Sequence, residues 1–326
     1  MESTKCIGVD VSKDTLDIAL YEGNGYEMYK ITNEEREIKR FFKPFTKSDP
    51  VHVAMEATGI YHKKLLIVLL NLKIKTSVIN PLKIKRFSEM KMLRAKTDPV
   101  DARLISLYCF EQHPEPYIMP SAEQEEIFAL IKAVDDYQKT NTAFQNRLTA
   151  LYDSGIKNNV IIKNLKKTID FNNKVIADFE KQIEDLIQKY YPSEFEKLTE
   201  IPGVGKKVAS TILGCFGRFE HFESAKQAAC FIGINPNPRQ SGKSVRMGSN
   251  ISKKGNSYVR KILYMGALSA KKYNKDCEIM YQRFLNNGTR PLEAQVAVAH
   301  KLIRQMFAII KFDRRYQPEY YKNRLT

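Results

Sequence analysis

Between residues 4 and 30 the apolar positions fall into three short runs separated by turn formers. "KCIGVDVS" is apolar around Asp10, "TLDIALYE" alternates apolar with polar, and "YEMYKIT" follows the turn "EGNG". A period of two predicts strands. "EEREIKRFFKPF" then switches to helical spacing, "VHVAMEA" predicts a buried strand and "YHKKLLIVLLNL" a helix. "KTSVIN" predicts a fifth strand ended by Pro81, with helices following.

The order β-β-β-α-β-α-β-α is that of a ribonuclease H type of α/β domain, expected here over residues 1–118. In that arrangement the first strand is central and the next parallel strand lies beside it. Asp10 on the first strand and Glu56 at the end of the fourth are then neighbours. The pattern changes over 119–192. Ile127, Leu130, Val134, Tyr137, Asn141, Phe144, Leu148 and Leu151 alternate spacings of three and four. Leu165, Ile169, Asn172, Ile176, Phe179, Ile183, Leu186 and Tyr190 do the same. This predicts two heptad helices, a coiled-coil segment with one register-setting Asn in each seam. "DSGIKNN" is the break between them. Such a pair packs or assembles protomers. Residues 193–326 read as a mostly α globular domain.

Charge changes this picture. The 326 residues carry 53 Lys and Arg against 37 Asp and Glu, a net charge of +16. That field attracts polyanions, nucleic acid first among them. From Ser224 through Lys275 there is no carboxylate, yet the stretch holds eleven Lys or Arg, as phosphate contact by counterion displacement requires. The five cysteines form no CxxC pair, which argues against a disulfide framework or zinc knuckle and for a reducing compartment. "MESTKCIGVD" lacks the apolar core of a signal peptide. The longest purely apolar run, "LLIVLL", is far too short to span a membrane. A cytoplasmic protein is expected.

Several residue groups could carry chemistry. In "AKTDPVDARLI" a helix start at Asp98-Pro99 puts Asp98 and Asp101 on one first turn. Either they cap the helix, or they join Asp10 and Glu56 around hard divalent cations, whose ligands are oxygens. Asp14 and Asp17 are weaker candidates, because the turn and strand around them read as exposed. "LTEIPGVGKKVASTIL" has the form of a helix-hairpin-helix motif. Its Gly203 and Gly205 permit a tight turn, and with Lys206 they open a helix N-terminus suited to a backbone phosphate. A Gly-capped turn between packed helices is the plainer reading. "NPNPRQSGKSVRMGSNISKKGNSYVRK" reads as a polar loop, with an amphipathic basic helix from "ISKKGNSYVRKIL". It supplies Arg239, Lys243, Arg246, Lys253, Lys254 and Arg260 for nucleic-acid contact. It also holds serines beside cationic groups that could neutralise an attacked phosphate. No GxxxxGK[ST] or HExxH occurs, which excludes the usual NTP and zinc sites.

Together these residues resemble the DEDD transposases of insertion sequences, the group that includes Piv-type DNA invertases and bridge-RNA-guided recombinases. "GVDVSKDTLDIAL", "AMEATGIYH" and "KTDPVDARLI" resemble the family's RuvC-like N-terminal domain, with Asp10, Glu56, Asp98 and Asp101 at its four metal-binding acids. "IPGVGKKVASTIL", "AACFIGINP" and "SGKSVRMGSNISKKGNSYVRKIL" resemble its C-terminal transposase domain, with the nucleophilic serine falling on Ser241. The approach "NPNPRQS" departs from the bulkier aromatic or Gly-rich approach often found there, which leaves Ser244 as the rival. The resemblance implies Mg2+ or Mn2+ as cofactor and donor and target DNA as partners. It further implies a structured guide RNA and a homo-oligomer between dimer and tetramer. Two other classes are open: a RuvC-type structure-specific (Holliday junction) endonuclease with water as nucleophile, and a non-catalytic nucleic-acid scaffold.

Overall fold

The computed structural model describes residues 5–46, 51–57, 59–92, 98–155, 158–241, 245–252 and 255–318, with the backbone alone at 98–99, 236–241 and 245–250. The chain divides by its internal contacts into two units, residues 1–119 and 120–326.

The first unit contains β1 (Lys5–Val11), β2 (Thr15–Tyr21), β3 (Tyr26–Thr32), α1 (Glu35–Phe42), β4 (Val51–Glu56), α2 (His62–Asn71), β5 (Lys75–Ile79), α3 (Pro81–Met90) and α4 (Asp98–Gln112). The sheet order is β3-β2-β1-β4-β5. β1 runs antiparallel to β2 and β2 to β3, whereas β4 is parallel to both β1 and β5. This is the mixed sheet of the ribonuclease H type, with β1 in the centre as expected.

Alternation along β1 and β4 separates two apolar layers. Ile7, Val9, Val53 and Met55 pack with Ile38, Phe42, Leu65 and Leu69 of α1 and α2. Cys6 and Ala54 face the other way and pack with Ile84, Phe87, Ile105 and Cys109 of α3 and α4. Each fully buried aliphatic side chain in these layers stabilises the unit by ~2 kcal/mol. α3 starts where Asn80 accepts from the Leu82 N–H at 2.9 Å and Pro81 occupies the first turn, the usual cap and helix-start pair. Gly8 lets α4 approach closely. A Cβ there would lie 2.2 Å from Ser106 N and 2.3 Å from Ala102 O.

The second unit contains α5 (Ala122–Asp153), α6 (Asn159–Tyr190), α7 (Pro192–Thr199), α8 (Lys206–Phe216), α9 (Ala225–Ile232), β6 (Pro236–Ser241), β7 (Val245–Ile251), α10 (Ser257–Tyr273), α11 (Lys275–Asn286) and α12 (Pro291–Lys311). Ser121 and Gln124 form a capping box that starts α5. α5 and α6 lie antiparallel within the chain. Asn172 donates to Asn141 at 2.8 Å, Asn141 donates to Asn173 at 2.8 Å, and Tyr137 meets Phe179 edge to face. Both seam asparagines are buried. Ile127, Ile131 and Ile187 belong to the same core as Val208 and Ile212 of α8 and Leu302 and Met306 of α12. The helical pair therefore shares its core with residues of the 193–326 segment.

Two local expectations change. Residues 236–241 and 245–251 form the antiparallel strand pair β6–β7 rather than a plain loop. The helix expected from Ile251 begins at Ser257, where Asn256 caps it by accepting from the N–H groups of Tyr258 and Val259. "PNPRQS" and "VRMGSNI" carry no alternating apolar run, so period-two reading passes over them. The early start fails because Ile251 ends β7 and Gly255 takes a φ of +147°.

Candidate active site

The acids are placed by the register of the sheet. Val9 pairs with Met55, so Asp10 and Glu56 occupy the next position on adjacent parallel strands and point to the same face. Neighbouring strands lie ~4.8 Å apart, which sets the spacing of these two backbones. Across the antiparallel side, Asp10 pairs with Asp17, and Asp17 with Lys30. Lys30, Asp17, Asp10 and Glu56 thus form one row across four strands. Asp17 is only 7% exposed and pairs with Lys30 at 3.2 Å. This corrects the reading of its strand as exposed: β2 is an inner strand, covered on both faces. Asp14 lies in the exposed β1–β2 turn.

The face carrying this row is the one that α4 crosses. Cys6 meets Cys109, and Gly8 meets Ala102 and Ser106, so α4 runs against the direction of β1. Two strand residues advance ~6.6 Å, equal to roughly four residues of helix. Continuing that progression brings the first turn of α4, with Asp98 and Asp101, level with Asp10. α4 begins at Asp98, as the Asp-Pro signal predicts. Asp101 is half-buried, and the side chain of Asp98 lies outside the described residues. Among the described residues, no three His, Cys, Asp or Glu side chains are gathered closely enough to hold a metal ion. Asp10, Glu56, Asp98 and Asp101 are all carboxylates, the side-chain type that suits a hard divalent cation.

Ser241 ends β6 and its backbone pairs with that of Val245, the first residue of β7. Arg239 pairs with Met247 and Arg246 with Gln240. Gly242, Lys243, Ser244, Lys253 and Lys254 lie outside the described residues. At "PGVG", Gly203 has a φ of +99°, and a Cβ there would come 2.5 Å from the Ala270 Cβ of α10. Both facts demand glycine. Gly205 is the N-cap of α8. The turn opens on a cleft of about 460 Å3 shared with Lys207, Met265 and Ser269. Lys206 pairs with Glu184 at 2.8 Å, and Arg260 donates to the carbonyls of Ile232 and Gly255 at 2.7 and 3.0 Å. Lys261 is held by Asp135 at 3.0 Å. Burial works to raise the pKa of Asp135, but hydrogen bonds and charge from Lys139 and Lys261 outweigh it and hold the carboxyl below its ordinary value.

Sequence reasoning missed Gly8, although a glycine inside an apolar strand is the known signal of a close backbone approach. It also underrated Asp17, whose strand position follows from the alternation of "TLDIALYE".

A family model for DEDD transposases of IS110 elements matches residues 7–155, and one described as "Transposase IS116/IS110/IS902 family" matches residues 195–282. The chain belongs to the IS110 family of DEDD transposases. It is therefore a member of a family of enzymes that act on DNA in transposition and recombination. Its relatives include the pilin gene-inverting protein of Moraxella lacunata, 27% identical over 94% of this chain and 96% of that protein. The transposase for insertion sequence element IS1111A of Coxiella burnetii is 24% identical over 92% of this chain and 88% of its own. Among solved structures, RuvC of T. thermophilus in complex with a Holliday junction substrate overlaps 35% of this chain and 99% of its own, at 11% identity and a TM-score of 0.25. The sheet order, not that overlap, defines the fold of this IS110-family transposase. Among its described residues no helix is long and apolar enough to cross a membrane.

Proposed function

We propose that the chain cuts and rejoins DNA strands by transesterification, with the acids of the first unit holding a divalent cation and Ser241 of the second serving as the nucleophile. The observation that carries this reading is the row holding Asp10 and Glu56 on the face crossed by α4. Asp10, Glu56, Asp98 and Asp101 would hold the divalent cation, Mg2+ or Mn2+. Bound there, the cation supplies charge neutralisation at a scissile phosphate and orientation of the attacking group.

Ser241 Oγ attacks the phosphorus, its proton passing to an acceptor oxygen. An Oγ–P bond forms as the bond to a deoxyribose oxygen breaks, and that oxygen leaves as a hydroxyl. The phosphoserine link retains the phosphodiester's bond energy, so a second DNA hydroxyl can displace Ser241 without ATP. Arg239, Lys243 and Arg246 neutralise the phosphate. Gly203, Gly205 and Lys206, with Lys253, Lys254 and Arg260, track the nucleic-acid backbone. A structured RNA encoded by the element would choose donor and target sites by base pairing, leaving the protein to read shape and backbone. A homo-oligomer, dimer to tetramer, would bring the strands together.

The experiment is to trap the reaction on labelled DNA and identify the adduct by denaturing gel and peptide mass. Wild type should give a DNA–peptide adduct on Ser241, while Ser241→Ala, Asp10→Asn and Glu56→Gln should give none and recombine at under about 1% of the wild-type rate. Free cleaved ends without an adduct would favour the structure-specific endonuclease. An adduct persisting in Ser241→Ala would move the nucleophile to Ser244.

A further inference from the structure

In the second unit, the first turn of α11, one face of α12 and the segment 312–318 enclose a cavity of about 510 Å3, whose lining includes Asp276, Lys301, Arg304, Gln305, Arg314 and Tyr316. That volume is in the range of ligand pockets. Its wall is fixed in place. Lys197 pairs with Asp313, Arg315 pairs with Glu196 of α7 and with Glu200 just after it, and Lys311 Nζ donates to the Phe219 carbonyl at 3.0 Å.

Besides the buried Lys301, the lining has four distinct chemical parts. Arg304 and Arg314 pair with no carboxylate among the described residues, and Arg314 lies over the ring of Phe312, 5.4 Å from its centroid. Asp276 is 5% exposed, and its Oδ1 has no hydrogen-bond partner among the described residues. A carboxylate oxygen buried this way is costly unless a ligand donor meets it. Gln305 has its amide orientation set, because Oε1 accepts from Asn274 Nδ2 at 3.0 Å. Its Nε2 is thereby left as a donor. Tyr316 adds a half-buried aromatic ring.

An acceptor beside an amide donor complements a base edge on which N–H groups adjoin a carbonyl. Guanine offers this with N1–H, N2–H and O6. An aromatic wall suits base stacking, and two uncompensated guanidinium groups suit a phosphate. We propose that this cavity binds one unpaired guanosine nucleotide, with its base edge on Asp276 and Gln305 and its phosphate on Arg304 and Arg314. A duplex backbone crossing a basic surface would engage the arginines but would not use the buried carboxylate. The same chemistry is offered by a free nucleotide and by one unpaired guanosine within a strand.

The test titrates the full chain with guanosine, adenosine and cytidine 5′-monophosphates and with inorganic phosphate by calorimetry. Anisotropy of labelled unpaired octanucleotides, with or without one central guanine, runs alongside. Guanosine monophosphate should bind at least about tenfold more tightly than the other three, the worth of a hydrogen bond to a charged group. Asp276→Asn should abolish that preference and leave phosphate affinity unchanged, whereas Arg304→Ala and Arg314→Ala should weaken guanosine monophosphate and phosphate alike. Asp276→Asn removes a buried charge, so its unfolding midpoint should match or exceed that of wild type, and a folding defect would not be mistaken for lost binding. Tighter binding of the guanine octanucleotide than of the mononucleotide supports the pocket with a strand as source; the reverse supports it with a free nucleotide. Equal affinity for all four small ligands, or a guanosine preference surviving in Asp276→Asn, would overturn the proposal.

Discussion

At position 8 a hydrogen in place of a side chain sets how near α4 comes to the sheet. The atoms that a Cβ would strike, Ser106 N and Ala102 O, are backbone, so no rotamer change can make room. Gly8→Ala should therefore destabilise the chain by about 1–3 kcal/mol and displace the turn bearing Asp98 and Asp101. Denaturant unfolding reads the first effect. Recombination assayed well below the melting temperature reads the second, and unchanged activity would disconnect α4 from the site. His52 gives a pH prediction. It is 2% exposed, its Nε2 lies 2.8 Å from Ser77 Oγ, and burial, reinforced by Lys75 and His113, lowers its pKa to about 4. Unfolded, the same imidazole titrates near 6.5. Between these values the unfolded chain binds a proton that the folded chain refuses, so stability falls as pH drops from about 6.5 to 4, by about 3 kcal/mol in all. His300, its pKa lowered by burial and then by Arg304, acts in the same sense. His52→Gln should flatten that limb in thermal melts taken across this range.

Among the elements, the five strands and the start of α4 were legible because alternation, Pro81 and Asp98-Pro99 are local signals. So was the placement of Asp10 and Glu56 at neighbouring positions of adjacent strands, which follows from strand order. The β6–β7 strand pair was not, because its strands are polar and contain Pro236 and Pro238, residues depleted from strands. The burial of Asp17 is a tertiary consequence of β2 lying between β1 and β3, which composition near the turn does not reveal. In the α5–α6 pair Asn172 donates to Asn141 and Asn141 to Asn173, all within one chain. Replacing both Asn141 and Asn172 with Leu should raise the unfolding midpoint, since two buried amides give way to apolar contact, while loosening the register that they fix. Hydrogen exchange along α5 and α6 measures that register. A lower midpoint with unchanged exchange would show the amides to be stabilising instead.

At the scale of the whole molecule, the acids and Ser241 belong to different compact units, more than a hundred residues apart in sequence. If one protomer's serine serves another's acids, mixing Asp10→Asn protein with Ser241→Ala protein should restore part of the activity that each lacks alone. Recombination by the mixture, measured against each variant at the same total concentration, tests this directly. No recovery at any ratio would count against exchange of these residues between protomers.

The division after residue 119 also bears on how the protein is made. Every strand of the mixed sheet, and the helix that covers its acidic row, is encoded before the first residue of α5. Translation proceeds at roughly 5–20 residues per second, and domains generally fold as units with the N-terminal one first. The nascent chain can therefore complete its acid-bearing half while the ribosome is still several seconds from the codon for Ser241. If Ser241 is the nucleophile proposed above, a growing polypeptide would hold a finished acidic face before that serine is made, and could not cut DNA until 241 of its 326 residues had been joined.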